Sequence, residues 1–216
     1  MTSLPKVIRK ADTVIEVGAH IGYISMYIAD LVGRNGKVFA FEPSKDNLEY
    51  LNANTAPCKQ LEVVPLAVSD RASTATFYVE DLSGQNSTLV KDYANLSENS
   101  RNAYTSADYR MTTVETTTLD QFVASRELKP DFIKIDIEGA EAIALKGMKD
   151  CLLRHRPKLM IEVTEQEDEV MREMARAGYL AYDSRLNTFG PAADQGPNRF
   201  FIPIEQAQRF SQREQS

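Results

Sequence analysis

The sequence has few of the features that mark three common protein classes. Its two cysteines, Cys58 and Cys151, lie far apart without a C-x-x-C or a nearby histidine pair. This argues against zinc and dithiol chemistry and predicts two free thiols. The formal net charge is −6, and no Lys/Arg cluster is interleaved with aromatic residues. The basic surface that neutralises a phosphate backbone is therefore missing, and we expect no nucleic-acid partner.

Long apolar runs are also missing. No segment has the length and hydrophobicity of a bilayer-spanning helix, and the first ten residues lack the apolar stretch and cleavage site of a signal peptide. We therefore expect a cytoplasmic protein without a membrane partner. With 216 residues and 43% hydrophobic content, the chain suits one domain over residues 1–216. Its core is predicted over about 12–203, with residues 80–111, a polar stretch containing Tyr93, Tyr104 and Tyr109, as an inserted loop or lid.

A strand, a glycine turn and a helix open the predicted core. Residues 13–17 are β-branched and apolar, residues 21–32 have helical periodicity, and Gly18 and Gly22 lie in the turn between them. This order predicts free backbone N–H groups and the positive end of a helix dipole where a nucleotide-like ligand could bind. His20 occupies the place of the middle glycine of G-x-G-x-x-G, which argues against a dinucleotide.

A second apolar strand ends in Glu42, about 20 residues beyond the glycine turn. In an open α/β sheet, a carboxylate at this place accepts the hydroxyls of a ribose. The alternative is a tight structural turn followed by an unrelated surface glutamate. Both segments lie in strand contexts, and together they resemble the S-adenosylmethionine (SAM) site of Rossmann-like methyltransferases.

Strands and helices alternate through the rest of the chain, as a doubly wound parallel sheet requires. Three further strands of the main sheet are predicted over residues 61–68, 131–136 and 158–163, and a terminal antiparallel hairpin over 179–182 and 199–202. Residues 72–79 and 112–117 read as added strands on either side of the polar segment. Helices are predicted over 45–53, 140–149 and 165–177. The fold class is therefore α/β, with three layers.

Several short motifs together resemble the FkbM family of SAM-dependent methyltransferases, from Thr13 to about Ile202. They are E-V-G-A-H-I-G, F-E-P, L-A-V-S-D, Q-N-S-T-L, T-T-L-D, D-F-I-K-I-D-I-E-G-A-E and I-E-V. The resemblance implies a class I methyltransferase fold with a seven-stranded sheet in the order 3-2-1-4-5-7-6 and the last strand antiparallel. It implies O-methylation of a hydroxyl on a sugar or secondary metabolite, with S-adenosylhomocysteine as the product. The chain departs from the family at Glu16, where Asp is usual, and at His20, where Asn is usual.

The resemblance also assigns site residues by position. Glu16, Gly18, His20 and Gly22 resemble the methionine-binding turn, Glu42 the ribose carboxylate, Ala67 and Val68 the adenine edge, and Asp136 an acceptor for the ammonium group of the donor.

Methyl transfer to oxygen needs a residue that receives the proton of the acceptor, and three side chains are candidates. Glu138 lies at a strand tip and is the predicted general base. Asp136 precedes it by two residues. His20 is a second candidate base, with the alternative that it is a neutral histidine that fixes the turn. Glu141 falls in a first helical turn, where favourable interaction with the helix dipole is sufficient to explain an acid.

Three acids, Asp136, Glu138 and Glu162, could together bind Mg²⁺, but the sequence requires no metal. The alternative is that these carboxylates pair with Lys134 or cap backbone N–H groups. Two other functions stay open. A nicotinamide-dependent oxidoreductase would need a three-glycine turn, and a catalytically silent binding module would not need to retain the glycines and Glu42.

Overall fold

The computed structural model describes residues 3–80, 87–90, 109–190 and 196–207. Its strands are β1 (Thr13–Val17), β2 (Lys37–Phe41), β3 (Leu61–Val64), β4 (Ala67–Val68), β5 (Ser73–Glu80), β6 (Tyr109–Thr117), β7 (Phe132–Ile135), β8 (Lys158–Glu162), β9 (Tyr179–Tyr182) and β10 (Asn198–Pro203). Its helices are α1 (Leu4–Val7), α2 (Tyr23–Val32), α3 (Lys45–Thr55), α4 (Leu119–Ser125), α5 (Glu141–Lys146), α6 (Lys149–Arg154) and α7 (Glu167–Arg176).

Seven of these strands form one sheet in the order β3-β2-β1-β7-β8-β10-β9. The first five strands of that order are parallel, and β10 runs antiparallel to both of its neighbours. Counted along the chain, the strands of this sheet have the order 3-2-1-4-5-7-6. The predicted topology and the terminal hairpin are therefore confirmed.

Apolar side chains on both faces of the sheet form the core. Val14 and Ile15 are neighbours on β1, both fully buried, and they belong to different hydrophobic clusters. Because successive strand residues point to opposite faces, the two clusters lie on opposite sides of the sheet. Ile28 of α2 belongs to one cluster, and Phe122 of α4 belongs to the other. The molecule thus has the three layers that the sequence predicts.

A second sheet, ordered β4-β6-β5, lies beside the first. The strand predicted over residues 61–68 is divided between the two sheets, because β3 pairs with β2 whereas β4 pairs with β6. Pro65 lies at the division and has no N–H to donate to a ladder. The added strands are confirmed as β5 and β6, which pair antiparallel from Ser73 with Thr116 to Glu80 with Tyr109.

The helices predicted over residues 140–149 and 165–177 differ from the observed ones for reasons that the backbone shows. The helix predicted over residues 140–149 breaks at Gly147, where a Cβ would lie 2.1 Å from the backbone oxygen of Ser69. The helix predicted to begin at residue 165 begins two residues later, because Gln166 has a left-handed backbone with φ 54°. Neither deviation moves the ends of the central strands.

The predicted lid falls largely outside the described residues, and so do Tyr93 and Tyr104. Residues 87–90 are described, and Tyr109 begins β6. The single-domain boundaries and the lid stay predictions. None of the helices in the described part of the chain has the length and apolar character of a membrane span.

Candidate active site

A cavity of about 420 Å³ opens at the carboxyl ends of β1, β2 and β7. This volume is in the usual range for small-molecule sites, and ligands of open α/β sheets bind at this edge. Seven of the predicted site residues line the cavity: Gly18, His20, Glu42, Ala67, Val68, Asp136 and Glu138. Glu16 and Gly22 are not among the lining residues, and their cofactor roles stay predictions.

The glycine turn is held tightly by the strands on either side. Gly18 has φ 85°, and a Cβ there would lie 1.8 Å from the backbone oxygen of Asp136. Only glycine therefore fits between β1 and the end of β7. Gly22 also has a positive φ, 88°, and lies at the start of α2, where it is the N-cap.

The prediction that this turn offers free N–H groups is wrong for four of its residues. The N–H groups of Gly18 and Ala19 both donate to the oxygen of Phe41, at 3.1 and 2.9 Å, and that of Gly22 donates to Ala19. The backbone N–H of His20 donates to Glu42 Oε2 at 2.8 Å. The β1–β2 edge thus satisfies these donors internally. Internal use of these four donors is consistent with a ligand that lacks a pyrophosphate.

Glu42 forms one wall of the cavity and is only 4% exposed. Its Oε1 accepts from the Ser44 N–H at 2.9 Å and from Asn47 Nδ2 at 3.2 Å, and its Oε2 accepts from His20. Burial outweighs these bonds and raises the pKa of Glu42. Because a carboxylate offers about four acceptor positions, Oε2 is the oxygen with capacity for a ligand hydroxyl. The predicted ribose contact stays a prediction.

Asn47 was not singled out in the sequence, although it both lines the cavity and contacts Glu42. It lies in the first turn of α3, the helix that begins after Ser44. The available signal was its spacing of five residues from Glu42, which places a first-turn side chain back over the end of β2.

Lys134 and Glu16 lie side by side on β7 and β1, and of the two only Lys134 lines the cavity. They are direct partners in the β1–β7 register, and Lys134 Nζ lies 4.0 Å from Glu16 Oε1. Glu16 is fully buried; its Oε2 accepts from Ser25 Oγ at 2.5 Å, and its Oε1 has no hydrogen-bond partner among the described residues. Burial, opposed by Lys134 and Ser25, raises the pKa of Glu16 to about 7.

We expect the Glu16→Gln variant to be less sensitive to pH than the wild type. A carboxyl with a folded pKa of about 7 and an ordinary value of 4.5 holds more protons when folded, so its contribution to stability falls as the pH rises between these values. Glutamine cannot ionise and does not lose this contribution. The free energy of unfolding of the variant, relative to that of the wild type, should therefore rise by about 1–3 kcal/mol from pH 5 to pH 8. Urea unfolding at both values measures it, with Glu49→Gln as an exposed control; equal pH slopes for wild type and Glu16→Gln would contradict the expectation.

The carboxyl groups of Asp136 and Glu162 form a pair on neighbouring strands. Ile135 is the register partner of Ile161. Asp136 and Glu162, the residues that follow them, therefore lie side by side at the carboxyl edge of the sheet. The hydrogen bond with Asp136, followed by burial, raises the pKa of Glu162 to about 9. Burial acts to raise the pKa of Asp136 as well, but the Lys134 ammonium at 2.9 Å and the bond with Glu162 outweigh it and lower that pKa. At neutral pH, Glu162 is the protonated partner.

Oxygen atoms of Asp136, Glu138 and Glu162 all lie within 4.8 Å of one another. The contact from Lys134 to Asp136 is the pairing that the sequence gives as the alternative to a metal site. This ion pair offsets part of the negative charge of the group, and the expectation that no metal is required stays a prediction.

Glu138 lies in a turn whose backbone is left-handed, with φ 53° at Glu138 and 90° at Gly139. The carboxylate Oε1 of Glu141 accepts from the N–H groups of Ile137 and Gly139 at 3.2 and 3.1 Å. Interaction with the helix dipole is therefore not the whole explanation of Glu141. This contact was missed because the sequence alone does not show that the carboxyl folds back over the turn.

Residues 87–89, part of the Q-N-S-T-L motif, form another side of the cavity. Thr88 exchanges two backbone hydrogen bonds with Tyr78 of β5, and its side chain is 1% exposed. Its hydroxyl also lies 3.5 Å from the oxygen of Ile137. The second sheet thus brings this motif against the turn that carries Glu138.

Two known proteins are similar in sequence to this chain. Two curated proteins are each 29% identical to parts of this chain: the AMB antimetabolite synthetase AmbE of Pseudomonas aeruginosa over 180 residues, and the hexuronic acid methyltransferase AglP of Haloferax volcanii over 146 residues. The matches cover 72% and 65% of this chain, but only 8% of AmbE and 52% of AglP.

A solved structure, the methyltransferase FkbM from Methylobacillus flagellatus, shares the fold with a TM-score of 0.55 at 16% identity, over 88% of this chain and 43% of that one. The family model described as the methyltransferase FkbM domain matches residues 16–181. This range contains β2, β7 and the carboxyl end of β1, at which the cavity opens. The chain therefore belongs to the FkbM family of SAM-dependent methyltransferases.

Proposed function

We propose that this chain binds SAM in the cavity and transfers its methyl group to a hydroxyl oxygen of a small-molecule acceptor, a sugar or a secondary metabolite. The observation that carries the proposal is the composition of one cavity. Glu42, the candidate ribose acceptor, lines it together with the acids Asp136 and Glu138. Family membership supports methyl transfer, and similarity to a hexuronic acid methyltransferase supports a sugar-like acceptor.

The lining residues fit such a donor in size and charge. SAM supplies a methyl group on a positively charged sulfur, which leaves as the neutral thioether. The cavity contains four acids, Glu42, Asp136, Glu138 and Glu162, against one lysine. Lys134 pairs with Asp136, and Glu162 is protonated, so Glu42 and Glu138 are the acids whose charge favours a bound cation. Apolar Leu66, Ala67 and Val68 provide a surface for an aromatic ring.

The reaction forms a carbon–oxygen bond and breaks the carbon–sulfur bond, and the hydroxyl proton must leave. Glu138 lines the cavity and receives that proton in this proposal, while the lining residues hold donor and acceptor in line. His20 also lines the cavity, and its backbone N–H fixes Glu42. We assign proton transfer to Glu138, and the imidazole of His20 is the second candidate base, to be compared with Glu138 by mutation.

Calorimetric titration of the purified protein with SAM, S-adenosylhomocysteine and NAD tests the donor site. We expect binding of the first two at micromolar concentrations and no binding of NAD. Binding of NAD alone would favour an oxidoreductase, and the absence of all binding would favour a silent module.

Incubation with methyl-labelled SAM and a panel of glucuronic acid, galacturonic acid, glucose and galactose then tests the acceptor. Label in a base-stable ether supports O-methylation of a hydroxyl, whereas label in a base-labile ester would place the methyl group on a carboxylate.

A further inference from the structure

One carboxylate oxygen accepts two backbone hydrogen bonds from the turn that carries Glu138. Glu141 Oε1 accepts from the N–H groups of Ile137 and Gly139, the residues on either side of Glu138. Glu138 itself has φ 53°, a left-handed conformation that non-glycine residues rarely adopt. Such a conformation persists where its surroundings hold it, and it is frequent at functional sites.

The burial of Glu141 is greater than a role at the helix dipole requires. The side chain is 1% exposed, and its Oε2 has no hydrogen-bond partner within the described ranges. Burial is the main cause that raises the pKa of Glu141 to about 7. An exposed acid at the start of α5 would interact with the dipole without this desolvation. The two short contacts to the turn are what the buried position adds.

The other side of the turn is also in contact with the protein. Thr88 Oγ1 lies 3.5 Å from the oxygen of Ile137, so the turn lies between Glu141 and residues 87–90. Glu138 lines the cavity from this position, whereas Glu141 is not among the lining residues. A direct role of Glu141 toward a ligand is therefore not supported, and a role through Glu138 is.

We propose that Glu141 is a positioning residue: its carboxyl group fixes the Ile137–Gly139 turn and thereby directs Glu138 into the cavity for proton transfer. The inference rests on the proposed function, in which Glu138 is the base. It separates the two glutamates of the motif into one that acts on the acceptor and one that acts through the backbone. Glutamine at position 141 keeps the accepting oxygen, whereas alanine removes it.

A double-mutant cycle tests the coupling. The four proteins are the wild type, Glu138→Gln, Glu141→Ala and the double variant, assayed for kcat with the best acceptor of the sugar panel and for SAM affinity by calorimetry. We expect Glu141→Ala to lower kcat about 10-fold or more in the wild type but less than about 2-fold in the Glu138→Gln background. SAM affinity should change less than about 3-fold, and Glu141→Gln should restore kcat to within about 3-fold of the wild type. Equal losses in both backgrounds would overturn the proposal, because they would show that Glu141 acts independently of Glu138.

Amide hydrogen exchange provides a readout that needs no turnover. Exchange at Ile137 and Gly139 should accelerate about 10-fold or more in Glu141→Ala and remain near wild type in Glu141→Gln. Unchanged exchange in Glu141→Ala would overturn the proposal whatever the activity. If Glu141→Ala does not fold, Glu141→Asp, whose oxygen is withdrawn by one methylene, takes its place in both experiments. Full turnover by Glu138→Gln would instead refute the base assignment of the proposed function, and the exchange result would still decide whether Glu141 holds the turn.

Discussion

Replacing Glu42 with alanine is expected to weaken SAM binding at least about 100-fold, because charge-assisted hydrogen bonds to a buried carboxylate contribute about 1.5–3 kcal/mol each. The carboxylate lines the cavity at the end of β2, and its Oε2 accepts one described bond, from His20. Removing it eliminates the proposed ribose acceptor and leaves the N–H groups of His20 and Ser44 without their partner. Calorimetry with SAM measures the loss.

Two comparisons show whether the loss of SAM affinity comes from the ribose contact or from a general disturbance of the cavity wall. Glu49→Ala removes an exposed acid from α3, the helix that follows Glu42, and should bind SAM like the wild type. The 2′-deoxy analogue of S-adenosylhomocysteine should bind the wild type more weakly than S-adenosylhomocysteine does, and Glu42→Ala should no longer distinguish the two. A folded Glu42→Ala protein with wild-type affinity, or one that still distinguishes them, would refute the ribose role.

Glu138→Gln is expected to lower kcat about 10²- to 10⁴-fold, the usual range for loss of a general base, while SAM affinity stays within about 3-fold of the wild type. The amide has nearly the same shape as the carboxyl group but cannot accept the proton of the acceptor. Single-turnover transfer of labelled methyl from SAM to the best sugar acceptor measures the chemical step directly.

The matched variant for this experiment is His20→Asn, which installs the residue that is usual in the family. If His20 only shapes the turn, this variant should retain most of the wild-type kcat. Full turnover by Glu138→Gln together with a large loss in His20→Asn would reverse the assignment of the base. Losses of similar size in both variants would indicate that the two side chains act on the same proton.

The positions of the central strands could be predicted from the sequence because each carries a local signal. The apolar runs of β1 and β2 end at Gly18 and Glu42, and the carboxyl ends of adjacent parallel strands meet at one edge. The cavity follows from that geometry. The order of the strands came from the resemblance, since periodicity alone does not choose among the topologies that an alternating pattern permits.

The contacts among the site residues were harder to predict from the sequence, because they are long-range or depend on backbone conformation. The pairing of Asp136 with Glu162 needs the β7–β8 register across 26 residues of chain. The hydrogen bonds from the turn to Glu141 depend on the left-handed backbone of a non-glycine residue, Glu138, which residue propensities do not predict. The donors of the glycine turn were expected to be free because the sequence does not show that Phe41 accepts two of them.

The pairing of β5 with β6 joins the two ends of residues 81–108 outside the sheet that leads into the proposed donor site. These strands pair over eight register positions, from Ser73 with Thr116 to Glu80 with Tyr109, in a sheet separate from the one that carries Gly18 and Glu42. Doubling the length of the segment that joins them adds only about 0.6 kcal/mol of loop-closure cost. Segments grafted between β5 and β6 should therefore change the choice of acceptor without rebuilding the donor site. Such a graft would need to keep residues 87–89, because they line the cavity and Thr88 contacts the turn that carries Glu138.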